Sequence, residues 1–192
     1  PGIDAADFDL GGGQEVPFAA GMSFDPSDGR ANTYDYKRDY MDYSRMQIFH
    51  YLVFANSQTL GGGQGSSGLA EFNGNDLIVT LGDWGLNSNN LANTNALINY
   101  QASTLMHELG HNLGLSHGGD DTNNFEPNYL SIMNYLYQLT GLPTIASDEG
   151  DRFYDSTTYH NRNVNCYSGL SNDPYTSTFI IDFSHGDGIN LN

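Results

Sequence analysis

The chain has 192 residues, enough for one compact domain or two small subdomains sharing a cleft. Its 23 acidic residues against 6 basic ones, with Lys37 the single lysine, give a net charge of −17, a surface that repels nucleic acid and anionic membranes and argues against both as partners. The longest apolar run, residues 48–55, is too short to cross a bilayer, and Cys166 is alone, so no intrachain disulfide forms. The chain does not open on Met and is expected to be a mature or trimmed product.

The first 47 residues are rich in Asp, Gly and Tyr and weakly periodic, with a loop at Gly11-Gly12-Gly13 and a helical turn expected over 36–41. From Gln47 to Phe54, Ile48, His50, Leu52 and Phe54 alternate with Phe49, Tyr51 and Val53. That pattern predicts a strand apolar on both faces and therefore central in a sheet, with His50 a hydrogen-bonded core histidine. Gly63 to Gly68 formally matches GxGxxG, but it runs into Leu69-Ala70-Glu71-Phe72 rather than a helix, which excludes a nucleotide loop. Asn73-Gly74 between 69–72 and 77–81 signals a hairpin whose first arm is a short edge strand. Such an edge can hold an extended polypeptide by adding it as a further strand.

A polar loop over 82–93 leads into a helix expected from about residue 95 to residue 113. Ile98, Ala102, Leu105, Leu109 and Leu113 form an apolar stripe roughly 80° wide along it. His107 and His111 project on nearly the opposite side, which predicts a cleft-facing site rather than core histidines.

His107-Glu108-Leu109-Gly110-His111-Asn112-Leu113-Gly114-Leu115-Ser116-His117 reads HExxHxxGxxH. Helical residues four apart lie roughly 40° apart around the axis, so His107 and His111 can share one zinc ion. Were the helix to continue, His117 would point away; Gly114 can take the left-handed conformation that ends a helix and returns His117 to the metal. Three histidines leave one tetrahedral position open, the arrangement of a catalytic zinc. Glu108 is the candidate base that takes a proton from zinc-activated water.

This run, together with Ser131-Ile132-Met133-Asn134-Tyr135 downstream, resembles the metzincin clan of zinc endopeptidases. The SxMxY form of the second element is similar to that of astacins and serralysins. The resemblance implies an α+β fold in which a mixed twisted sheet and an active-site helix (residues 1–117) lie above a smaller irregular C-terminal subdomain (residues 118–192), with the zinc cleft between them. It further implies that Met133 forms a hydrophobic floor under the zinc and that Tyr135 is a displaceable fourth protein ligand able to hydrogen-bond the oxyanion. By the same resemblance Gly68, Leu69, Ala70, Glu71 and Phe72 bind substrate, Asn134 and residues 136–143 wall the pocket for the residue after the cleaved bond, and the protein is secreted.

The leading reading is a monomeric, extracellular zinc endopeptidase with a protein or peptide substrate. A zinc hydrolase acting on a non-protein amide and a non-catalytic zinc-containing binding module are the alternatives. The intact Glu108 speaks against the module, and the edge strand favours a polypeptide over another amide. Calcium is a secondary expectation at the oxygen-rich loops 25–29, 118–124 and 148–151, although none completes a calcium-loop pattern. His160 and His185 fit no ligand spacing and are expected at the surface.

Overall fold

In the computed structural model, which describes residues 13–126, 128–143 and 172–183, two short parallel strands come first. They are β1 (Met22–Ser23) and β2 (Ala31–Asn32), and β2 runs directly into α1 (Thr33–Tyr40). The Asn32 side chain accepts the backbone N–H groups of Tyr34 and Asp35, so α1 begins three residues before the expected turn.

The site is carried by a three-stranded sheet of β3 (Tyr51–Phe54), β4 (Gly68–Ala70) and β5 (Asp76–Val79), in the order β3-β5-β4. β3 is parallel to β5 and β4 is antiparallel to it. The expected hairpin is present, with Asn73 at a φ of 55° and the Glu71 carboxylate accepting the N–H groups of Asn75 and Asp76. Among the described residues β4 is paired on one side only, as an edge strand should be.

Two expectations for residues 47–54 are overturned. The strand is confined to Tyr51–Phe54, and β5, all four of whose residues are buried, takes the central place. The segment before β3 is a run of turns, with Ile48 and Phe49 N–H both donating to the Arg45 carbonyl and the Asn75 side chain donating to the Met46 carbonyl, and Ile48 is left exposed. His50 is exposed as well; it is hydrogen-bonded, through Nδ1 to Asn112 Oδ1 at 2.9 Å, but it is not in the core.

β5 packs on both faces. Ile78 joins Met22 and Val53 against the N-terminal layer, while Val79 joins Ala96 and Tyr100 of α2 (Leu91–Asn112). The side chain of Asn90 caps α2, which starts four residues earlier than expected.

The expected stripe is only partly buried: Ala102, Leu105 and Leu109 are half-buried, and Leu105 packs against the cluster of Val79 and Tyr100. Ile98 and Leu113 are 55 % and 59 % exposed, whereas the buried face carries Tyr100, Ser103, Thr104, His107 and Glu108. Polar and small side chains are packed inward because β4 and β5 approach that face, so tertiary contact overrides hydrophobic periodicity.

Beyond α2, the short helix α3 (Tyr135–Gln138) anchors a small cluster of Leu136, Tyr137 and Leu142. Residues 180–182 run beside it, Ile180 accepting from Leu142 N–H and Asp182 from Ile132 N–H. The described part is the α+β arrangement that the resemblance implies, with small sheets and the long helix α2 packed against β4 and β5. None of its helices is long and apolar enough to cross a membrane.

Lys37 of α1 pairs with Asp76 of β5, their side chains 13 % and 4 % exposed. Burial pushes the Asp76 carboxyl above its usual range against the pull of Lys37. Lys37→Met should therefore cost about 3–5 kcal/mol in urea unfolding at neutral pH, because it strands a buried carboxylate. A raised folded-state pKa means that the folded form holds the proton more tightly, so the deficit should shrink as the pH falls through that pKa. A loss independent of pH would show that the pair is not the cause.

Candidate metal centre

The last turn of α2 closes at Leu113, and Gly114 follows at a φ of 90°. Gly114 N–H donates to the His111 carbonyl at 3.0 Å and Leu115 N–H to that of Gly110 at 2.9 Å, the paired bonds of a Schellman end. A β-carbon on Gly114 would lie 2.5 Å from Asn73 Oδ1, so the hairpin turn lies hard against the helix end. Asn73 N–H also donates to the His111 carbonyl at 3.0 Å.

This reversal gathers His107, His111 and His117, with one nitrogen of each ring within 4.8 Å of the others. His107 Nδ1 donates to the Ile132 carbonyl at 2.9 Å, and His111 Nδ1 donates to the Leu115 carbonyl at 2.8 Å. A carbonyl can only accept, so both rings carry their proton on Nδ1 and turn an Nε2 lone pair to the centre. The two Nε2 atoms are 3.1 Å apart. Nitrogens bound tetrahedrally to zinc at roughly 2.0–2.1 Å stand about 3.3 Å from one another, close to that spacing.

His117 Nε2 is buried without a hydrogen-bond partner. An orphaned lone pair of this kind, beside two others, is what a metal would satisfy. Burial pushes the His107 imidazole down to about 3 and lowers His111 and His117 as well, which keeps all three neutral and able to ligate. The residues fit a zinc ion, and among the described residues theirs is the group that can hold one.

Glu108 is 4 % exposed, and burial raises its carboxyl to about 8. A divalent cation next to it would favour the ionised form. The ring of Tyr135 lies 4.2 Å from that of His117 and 5.5 Å from that of His107, centroid to centroid, so this side chain is brought to the ligands across 18 residues of chain.

Met133 is fully buried, and its Sδ lies 2.2 Å from where a β-carbon on Gly110 would stand. Gly110 thus lets the Met133 turn seat itself between the levels of His107 and His111. Of the expected substrate-binding residues, Gly68 is buried, Leu69 and Phe72 are exposed, and the Glu71 side chain is occupied in the hairpin and with Tyr34 Oη. Gln138 Nε2 donates to Ser67 Oγ at 3.2 Å, joining α3 to the start of β4.

Three supporting residues gave no signal of their role in the sequence. Asn112 donates to the carbonyls of Glu71 and Asp76 and so fastens α2 to the hairpin. Asn134, expected in a pocket wall, is fully buried as a brace: its Oδ1 accepts from Phe125 and Leu136 N–H, and its Nδ2 donates to the Glu126 and Tyr129 carbonyls. Gly110 is the third.

The calcium expectation gains no support. Asp25 is engaged by Ser27, Asp28 by Arg30 and Ser23, and Asp121 by Asn123. Residues 148–151, Cys166, His160 and His185 lie outside the described residues.

Gly110→Ala should destabilise the fold by about 1–3 kcal/mol in denaturant titration, because its methyl group overlaps Met133. Displacing the turn also disturbs the Ile132 carbonyl behind His107, so zinc affinity should fall about 10–100-fold in chelator competition. Wild-type stability and affinity together would show that the contact is slack.

Comparison with known proteins places residues 20–118 on the family model for reprolysin-like metallopeptidases of family M12B, a match that takes in all three histidines. Neither the curated proteins nor the solved structures yield a match.

Proposed function

We propose that this chain, which belongs to the reprolysin-like M12B metallopeptidase family, is an endopeptidase that cleaves extended polypeptides outside the cell. Membership and the histidine triad make it a zinc-dependent protease. The finer reading rests above all on Glu108, a buried carboxyl one residue from His107, whose lone pair converges with those of His111 and His117.

Zinc held by His107, His111 and His117 would supply the Lewis acid that acidifies water and polarises the scissile carbonyl. Glu108 accepts the proton of the attacking water and passes it to the leaving nitrogen. The Nδ1 hydrogen bonds to Ile132 and Leu115 hold His107 and His111 in the ligating orientation throughout. Tyr135, a displaceable ligand in this reading, donates a hydrogen bond to the oxyanion, a contribution of about 2.7–4 kcal/mol for such donors.

Gly68, Leu69, Ala70, Glu71 and Phe72 receive the substrate backbone as an added strand on the open edge of β4. Binding of this kind reads main chain before side chain, which suits cleavage within long polypeptides. Residues 1–117 and 118–192 act as upper and lower walls of one catalytic domain.

Digestion of casein and of a flexible peptide, followed by mass spectrometry, tests the proposal. The zinc form should cut internal bonds and lose this activity on chelation. Glu108→Gln should lower kcat about 10²–10⁴-fold while retaining zinc. A zinc-loaded wild-type protein that cuts neither substrate, or a Glu108→Gln variant with full activity, would overturn the assignment.

A further inference from the structure

β4 meets α2 at a residue without a side chain. A β-carbon on Gly68 would lie 2.6 Å from Glu108 Oε1, 2.7 Å from Glu108 Cγ and 2.7 Å from Thr104 Cγ2. Gly68 is not among the residues at positive φ, so what demands glycine here is space and not backbone conformation. Glycine weakens a strand interior, and a three-residue strand has little stability to lose.

Neither partner in this contact can withdraw at low cost. Gly68 pairs with Val79, its carbonyl accepts from Gln58 Nε2 at 2.8 Å, and the preceding Ser67 carbonyl accepts from Thr80 N–H at 2.6 Å. On the other side the overlap reaches Cγ, near the root of the Glu108 side chain, so a methyl group would force a different rotamer and not a small swing of the carboxylate. Among the described residues no hydrogen bond holds the Glu108 carboxylate in place. Packing is therefore what orients it.

We propose that Gly68 is a positioning residue for Glu108: the missing side chain forms a slot in the edge strand where the base rests against Thr104. The inference builds on the peptidase reading and adds a mechanical link to it. The strand that receives the substrate backbone and the carboxylate that serves as base are held in register by one van der Waals contact. A misplacement of about 1 Å in a reacting group can cost on the order of 100-fold in rate.

The test uses zinc-loaded Gly68→Ala in the full chain. Its kcat on a flexible peptide should fall about 10–100-fold, with KM and zinc affinity within about twofold of wild type. A crystal structure of the variant should show Glu108 in another rotamer. Should the single variant fold poorly, Gly68→Ala with Thr104→Ser removes the methyl group on the helix side; it should recover the fold and keep the low kcat.

A wild-type kcat in either variant, a raised KM with kcat intact, or an unmoved Glu108 would overturn the proposal. Failure of the peptidase reading would be seen separately, as a zinc-loaded wild-type protein that cuts no peptide. In that case the rotamer of Glu108 in the variant still decides whether Gly68 positions it.

Discussion

The close approach of β4 and the Met133 turn to the polar face of α2 is the constraint on which the centre depends. Two residues without side chains permit it: Gly68, where β4 rests on Glu108 and Thr104, and Gly110, where Met133 rests on the helix. Ordinary side chains at either place would hold the layers apart and admit water. With the layers closed, His107 and Glu108 are 1 % and 4 % exposed. Desolvation then keeps the imidazoles neutral and raises the Glu108 carboxyl, whereas a dication beside it would favour the ionised form that can accept a proton.

Burying such a face is costly unless its polar groups are answered, and the surrounding chain answers several of them. Backbone carbonyls from two different loops take the Nδ1 protons of His107 and His111. Asn112 ties the C-terminal end of α2 to the hairpin through two carbonyls, and Asn134 ties the loop before it to the start of α3 through four backbone groups. Thr104 Oγ1 and the Glu108 carboxyl make no hydrogen bond among the described residues, and neither does His117 Nε2, which lies at the point where the other two lone pairs meet. The pattern is that of a shell that turns three imidazoles toward one point where they can share a cation.

The metal-binding residues were legible in the sequence because their geometry is local. A spacing of four on a helix, a glycine that ends it and a third histidine three residues later need no knowledge of distant chain, and the Ser131–Tyr135 turn is equally short. The hairpin at Asn73-Gly74 was legible for the same reason. What stayed hidden depends on residues remote in sequence. The role of Gly68 lies in a contact with Glu108, 40 positions away, and the polar face of α2 is buried more completely than the leucine stripe. The alternation before β3 likewise misled, since local turns, with help from the Asn75 side chain, satisfy that backbone in place of a neighbouring strand.

X-ray absorption at the zinc edge of the reconstituted protein measures the centre most directly. The account predicts one zinc per chain with three imidazole nitrogens at about 2.0–2.1 Å and the remaining coordination from oxygen. A zinc with sulfur in its first shell, with fewer than three imidazoles, or with no bound ion at stoichiometric loading would contradict it.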